Sequence, residues 1–359
     1  MRRWLAAVLL LLLLFLLGAC QDDLRKITLI DQMSVLGARV GVVGEPERSS
    51  AVPGEEVDYE LALVFPQLDR DRSTVTTLAI DCTAPTRFTG IPLCQEIQDL
   101  AASDRRDSGG VDLMAFGEER QVRCEGQAFA FRSGPVGLAC HLGEPRLRFA
   151  IPADVRGDER LVRGIVCSDG AAVLDPDEPA LFRCEANDGG PAPEAQPFYG
   201  TIQLVTDGVS HNQHPDPAGL SIQFAGAVWE PWDRPQPPAG SDCDGRDVAA
   251  LPVAAPGQDA RIDLRYRAQA REDVDGVPEI LEISTYATAG ELERRFTVWK
   301  PDSPVVGGRL AGDFEWIAPS KADLAGQTWR SPEDPVHFFF TIIDRRGGFA
   351  MAERYLCVK

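Results

Sequence analysis

The sequence predicts an all-β protein built from two antiparallel β-sandwiches, and three features carry that prediction. Stretches of alternating apolar and polar residues recur, turn-forming residues are abundant, and two similar segments stand at one constant offset. Among 359 residues there are 33 Gly and 27 Pro, a content that suits short strands between turns better than long helices. From Val57 to Phe65 the residues Val57, Tyr59, Leu61, Leu63 and Phe65 share one face, while Asp58 and Glu60 fall on the other. That period of two is the signature of a strand with one buried and one wet face.

The segment Pro53-Gly54-Glu55-Glu56-Val57-Asp58-Tyr59-Glu60-Leu61 aligns with Pro256-Gly257-Gln258-Asp259-Ala260-Arg261-Ile262-Asp263-Leu264. At the same offset Leu78-Ala79-Ile80-Asp81 meets Leu281-Glu282-Ile283-Ser284 and Ala84 meets Ala287; beyond that the match lapses, with Gly90 falling on Glu293. A repeat this long reads as a duplicated domain, because solenoid units recur every 20 to 50 residues or so. In the second copy Ile262, Leu264, Tyr266 and Ala268 alternate with charged residues. Towards the end, 336–343 reads as a strand, 344–348 as a Gly-containing hairpin turn and 349–358 as the returning strand. The apolar run Leu220 to Val228 reads as a further strand.

Arg2 and Arg3 precede an unbroken apolar run from Leu5 to Leu17. Such a run is too short to span a bilayer and reads as a cleaved export signal. The residues that follow it, Leu17-Gly18-Ala19-Cys20, resemble the lipobox of bacterial lipoproteins. That resemblance implies cleavage before Cys20 and acylation of its thiol and amino group, and two or more acyl chains anchor a protein stably. Gln21, where an aspartate would favour inner-membrane retention in such lipoproteins, leans towards the outer membrane or cell surface.

Nine cysteines are present, and with Cys20 set aside eight remain: Cys82, Cys94, Cys124, Cys140, Cys167, Cys184, Cys243 and Cys357. In an oxidising compartment these are candidate disulfides, for which sequence allows 105 pairings. Spacing favours local loops joining 82 to 94, 124 to 140 and 167 to 184, with 243 and 357 closing the C-terminal region. No Cys-x-x-Cys occurs, which argues against a zinc site.

The segment 250–359 resembles the immunoglobulin-like and PKD-like domains of bacterial surface proteins. The resemblance rests on the Pro256-Gly257 turn, Tyr286-Ala287-Thr288-Ala289-Gly290, Trp316-Ile317-Ala318-Pro319 and the Ile343-to-Gly348 hairpin. It reaches the N-terminal copy only through residue 84, and the Cys-rich stretch from Cys94 to Cys184 departs from it. The expected organisation is a signal peptide at 1–19 and an acylated tether at 20–27. An immunoglobulin-like sandwich with a Cys-rich extension follows at 28–205, then a linker at 206–217 and a second immunoglobulin-like or PKD-like sandwich at 218–359. Within the first, 156–205 reads as a disulfide-closed addition to a sandwich of 28–155.

There are 36 Lys and Arg against 55 Asp and Glu, a formal net charge of −19. Phosphate backbones need clustered cations, so nucleic acid is not an expected partner. His211 and His214 form His-x-x-His in the linker near Asp207 and Asp216, the spacing of two metal ligands or of two exposed loop residues. Asp242-Cys243-Asp244-Gly245-Arg246-Asp247 and Glu272-Asp273-Val274-Asp275-Gly276 place carboxylates beside glycine, which makes Asp273 and Asp275 candidate calcium ligands; acidic turns are also ordinary in so acidic a chain. Trp229 and Trp232 form a candidate binding pair that either stacks on a ligand or packs against protein. Phe339 and Ile343 lie opposite Phe338, Phe340 and Ile342 on their strand, which makes that outer face the expected domain contact.

The sequence lacks Gly-x-Ser-x-Gly, His-Glu-x-x-His, Ser-x-x-Lys, a Walker A loop and Gly-x-Gly-x-x-Gly. The expectation is therefore a membrane-anchored cell-envelope lipoprotein acting as a non-catalytic binding, adhesive or structural module. It needs no cofactor, calcium aside; its partners are the membrane and an envelope protein or glycan. An extracytoplasmic hydrolase, or an accessory subunit of one, is the alternative.

Overall fold

A computed structural model describes residues 28–359 apart from 69, 85–93, 95–121, 134, 156, 176–180, 188–189, 192, 206–209, 235–237, 239–242, 244–250 and 328–333. Cys20, Asp207, Asp242, Asp244 and Asp247 lie outside the described residues. No helix among the described residues is long and apolar enough to cross a membrane.

Up to residue 204 the strands are β1 (Ser34–Val42), β2 (Ser50–Ala51), β3 (Glu56–Val64), β4 (Thr76–Thr83), β5 (Val122–Cys124), β6 (Phe129–Ser133), β7 (Val136–Leu142), β8 (Arg146–Ala150), β9 (Glu159–Cys167), β10 (Ala171–Leu174), β11 (Phe182–Glu185) and β12 (Ala195–Leu204). One sheet runs β1-β3-β8 and a second runs β2-β12-β9-β4-β7-β6. Between them lies a core that includes Val57, Tyr59, Leu61 and Leu63 from β3, with Val162 and Val166 from β9 and Ile202 from β12. The alternation along β3 thus buries its odd-numbered positions while Glu56 and Glu60 stay exposed, as period-two patterning requires.

Beyond the linker follow β13 (Leu220–Phe224), β14 (Ala227–Val228), β15 (Val253–Ala254), β16 (Asp259–Arg267), β17 (Asp273–Val274), β18 (Val277–Pro278), β19 (Leu281–Ala287), β20 (Glu291–Leu292), β21 (Phe296–Trp299), β22 (Val305–Val306), β23 (Arg309–Ile317), β24 (Val336–Ile343) and β25 (Phe349–Val358). Their main sheets are β14-β13-β16-β23-β20 and β15-β25-β24-β19-β21, closed over a core rich in Trp and Phe. Three buried indoles each keep a hydrogen bond: Trp229 Nε1 donates to the Tyr355 carbonyl (2.9 Å), Trp299 Nε1 to Ala311 (3.0 Å) and Trp316 Nε1 to Ala289 (3.1 Å). A large ring can then be buried without stranding its N–H.

The strand order is immunoglobulin-like in both halves. With β1, β2, β3, β4, β8, β9 and β12 lettered A, A′, B, C, E, F and G, the sheets are A-B-E and A′-G-F-C with edge strands. In the second half β13, β15, β16, β19, β23, β24 and β25 take the same letters, and in both the short A′ strand pairs parallel to G. The constant offset of the sequence repeat lays A′ on A′, B on B and C on C. Its turn is built twice in the same way: Glu55 N–H donates to Val52 O while the Glu55 carboxylate accepts from Val52 N–H (2.7 Å), and Gln258 does the same with Ala255 (2.8 Å). Gly54 (φ 96°) and Gly257 (φ 70°) supply the left-handed residue, which a side chain would strain.

Two expectations change. Residues 156–205 are no appendage, because β9 and β12 are the F and G strands of the first sandwich and pair with each other and with β4. The addition is instead the small sheet β11-β10-β5, which forms a third layer over the outer face of the six-stranded sheet. That is why β9 is buried along almost its whole length. Disulfides Cys124–Cys140 and Cys167–Cys184 tie this layer to β7 and β9, Cys82–Cys94 closes the end of β4, and Cys243 is bonded to Cys357 of β25. The run Leu220 to Val228 is a hairpin and not one strand: Ala225 (φ 49°) and Gly226 (φ 83°) turn it back on itself.

Candidate functional site

Chemistry-bearing residues gather where the halves meet. The outer face of β24 presents His337, Phe339 and Thr341, all buried. Phe339 and Tyr286 of the second half pack with Ile30 and Val64 of the first, and Leu36 and Met351 flank them. Two bulged residues of β1, Leu36 and Gly37, create room for this contact: the ladder with β3 slips between Val35 and Ala38. A Cβ on Gly37 would come within 2.3 Å of the Phe349 ring. The incoming chain joins here too, since Ala287 N–H donates to Thr28 O (3.0 Å) and Ile30 N–H to Ala287 O (2.8 Å).

The linker seals the contact through His214. Its Nδ1 accepts from Phe349 N–H (3.1 Å), so Nε2 carries the proton and donates to Val40 O (2.8 Å). Burial, and then the nearby Arg39, bring its pKa down to about 4. Both nitrogens are engaged by backbone of the two halves, so the His-x-x-His metal reading fails at His214. Beside it Asn212 Nδ2 donates to Ser49 Oγ (2.6 Å) and Asp344 Oδ2 (2.7 Å), and Asp344 Oδ1 accepts from Arg346 and Gly348 N–H. Arg346 pairs with Glu272 and reaches Glu279 at 3.4 Å. Burial pushes the Glu279 carboxyl up to about 7.

Other candidates fall elsewhere. Trp229 is not a ligand platform: it is 1% exposed, wedged against Phe224, Phe338 and Phe340, because the hairpin at Ala225-Gly226 folds the chain inwards just before it. Trp232 is half-buried, its ring 6.3 Å from Tyr355 with the Arg234 guanidinium 4.8 Å above it. These residues line a groove of about 740 Å³ between β13 and β25.

Asp273 and Asp275 sit on the tight hairpin of β17 and β18. Asp275 (φ 55°) and Gly276 (φ 80°) are its two central residues, the Asp-Gly pair such turns demand. The turn accounts for this carboxylate-glycine pattern, and among the described residues no group of three or more His, Cys, Asp or Glu could hold a metal ion.

His337, buried, pairs with the half-exposed Glu353, its Nε2 lying 2.8 Å from Glu353 Oε2. Its ring is stacked between Tyr355 (4.2 Å) and Phe339 (3.8 Å), and the Tyr355 hydroxyl also donates to Glu353 (3.3 Å). Burial lowers the His337 pKa. Aromatic rings cover both faces of the imidazole. In the first sandwich Asp81, fully buried, accepts from Arg132 (2.7 Å) and Arg160 (2.8 Å); each charge is paired, as burial demands.

No family model matches the chain, and no curated protein matches it. Among solved structures it is similar to the D00–D0 domain of intimin at 10% identity, over 66% of this chain and 84% of that one, with a TM-score of 0.18. It is similar to the Yersinia pseudotuberculosis adhesin InvE at 9% identity, over 86% and 55%, with a TM-score of 0.18. It is also similar to tandem Ig repeats of Dlar at 9% identity, over 86% and 91%, again with a TM-score of 0.18. Superposition this poor carries no weight, and the fold assignment rests on strand order alone.

Sequence reasoning missed Asn212, Asp344 and Glu279 as a junction network and read His214 as either a metal ligand or an exposed loop residue, whereas it is buried. The available signal was Asn-x-His within an otherwise polar linker, whose partners stand more than 100 residues away in sequence.

Proposed function

We propose that this chain is a lipid-anchored cell-envelope protein acting as a non-catalytic binding, adhesive or structural module. In this reading its immunoglobulin-like units, 28–205 and 218–359, are held as one rigid body across the connection 206–217. The observation that carries the reading is the junction itself. A linker that served only as a spacer would leave the sandwiches free, whereas here Val40 and Phe349 are bridged by one histidine and an apolar cluster is shared between the two halves. Permanent orientation is what a load-bearing or surface-presenting module needs, and it is costly to maintain otherwise.

Lipid anchoring is supported by the lipobox-like Leu17-Gly18-Ala19-Cys20. Seven extended residues between Cys20 and Thr28 reach about 25 Å. Because Thr28 joins at the junction, such an anchor would hold both sandwiches near the headgroups. The test is metabolic labelling with a clickable fatty acid, with membrane fractionation, on the full chain and on Cys20→Ala. Label and membrane retention lost only in Cys20→Ala support the reading; unlabelled native chain, or equal retention of both, overturns it.

A further inference from the structure

The G strands of the two sandwiches treat their free edges differently. In β12 the outward-facing positions are odd-numbered, as Val205 N–H to Ala51 O shows. Pro197 stands at one of them, and the hairpin residue Gly347 packs close to Gln203. Proline at an edge removes a donor and discourages further pairing. In β25 the outward positions are also odd: Cys357 N–H donates to Pro252 O (2.8 Å) and Phe349 N–H to His214. Between these two points lie Met351, Glu353 and Tyr355. Their N–H groups have no partner among the described residues, since A′ covers only the last residues of the strand.

The carbonyls on this edge are in a different state. Tyr355 O already accepts from Trp229 Nε1 (2.9 Å) and Glu353 O from the Arg354 guanidinium (2.7 Å). The edge therefore offers a row of donors about 7 Å apart and little acceptor capacity. It forms one wall of the groove of about 740 Å³, which Trp232 and Arg234 also line. Extended peptides add to such edges through main-chain hydrogen bonds, and proline-containing ones favour aromatic-lined grooves.

We propose that this edge binds an extended peptide, from a partner protein, that carries proline at alternate positions. Its carbonyls accept from Met351, Glu353 and Tyr355, its prolines face the two occupied carbonyls where an N–H would go unmet, and one proline ring rests on Trp232. About five residues fit along 351–355. The proposal deepens the binding-module reading and rests on it.

The test is amide hydrogen exchange on the full-length protein in detergent. It is titrated with a synthetic decapeptide library in which half the members carry proline at alternate positions and half carry none. The expected result is that proline-bearing members bind and slow exchange at Met351, Glu353 and Tyr355 at least tenfold, while Ala350, Ala352 and Arg354, already paired to β24, change little. Trp232→Ala weakens binding at least tenfold. Glu353→Pro abolishes it and Glu353→Gln keeps it within about threefold; should Glu353→Pro misfold, Trp232→Ala and the native exchange pattern still decide. Absence of binding by any member, binding without protection of those three amides, equal binding of proline-free members, or capture of oligosaccharides in their place overturns the proposal. A partner bound at another surface would overturn it too while leaving the module reading intact, and loss of that reading shows separately in the Cys20→Ala labelling.

Discussion

His214 and Glu279 sit in the same junction and respond to pH in opposite directions. The His214 pKa is depressed to about 4, so the unfolded chain takes up its proton first and junction stability falls as pH drops from about 6.5 towards 4. The Glu279 pKa is raised to about 7, so the folded chain holds a proton that the unfolded chain has released. Its contribution is lost as pH rises from about 4.5 to 7. Between about 4.5 and 6.5 the two slopes, each near 1.4 kcal/mol per pH unit, oppose each other. Glu279→Gln removes one of them, so its stability relative to the native chain should climb with pH across that window, as read by urea unfolding at a series of pH values. A constant difference between the two proteins would refute the assignment. His214→Ala strands Val40 O and Phe349 N–H and should cost about 2 to 4 kcal/mol at neutral pH.

At the level of elements, the bulge in β1 and the added layer over β9 each depend on a few identifiable atoms. Gly37→Val drives a side chain into the Phe349 ring where the halves meet, so that ring is displaced and the contact between the halves loosens. The expected outcome is a larger radius of gyration by small-angle scattering and faster proteolysis near 206–217, with each sandwich still folded. The small sheet is held by Cys124–Cys140 and Cys167–Cys184, across separations of 16 and 17 residues. Replacing either pair by serine should cost about 3 kcal/mol, and fraying should be confined to β5, β10 and β11 in hydrogen exchange. Global unfolding at the same midpoint as the native chain would show that the layer adds no stability.

For the whole molecule, the shared cluster of Ile30, Val64, Tyr286 and Phe339 couples two cores that are otherwise separate. Burying each such side chain contributes roughly 1.5 to 3 kcal/mol, enough to merge two transitions into one. The native chain is expected to unfold in a single calorimetric transition. Phe339→Asp, which puts an unpaired charge into that cluster, should split it into two transitions while each core persists. A split transition in the native chain would remove the rigid-body basis of the proposed function.

Local chemistry alone determined most of the strand content. Period-two alternation marks β3 and β16, the Pro-Gly turn is written twice at one offset, and the 336–358 hairpin is legible from its Gly pair, because strand faces and turn dihedrals depend on neighbouring residues. The sequence likewise showed that both faces of 336–343 are apolar, which singled out Phe339 for the contact between halves. Only tertiary structure decided that 159–167 and 195–204 are F and G strands: β9 is buried on both faces and loses its alternation, and β12 takes its place by pairing with β9 and with the distant β2. It also decided that Trp229 turns inward and that His214 bridges two backbones. Those outcomes depend on positive-φ turns and on partners far away in sequence, and no local pattern records them.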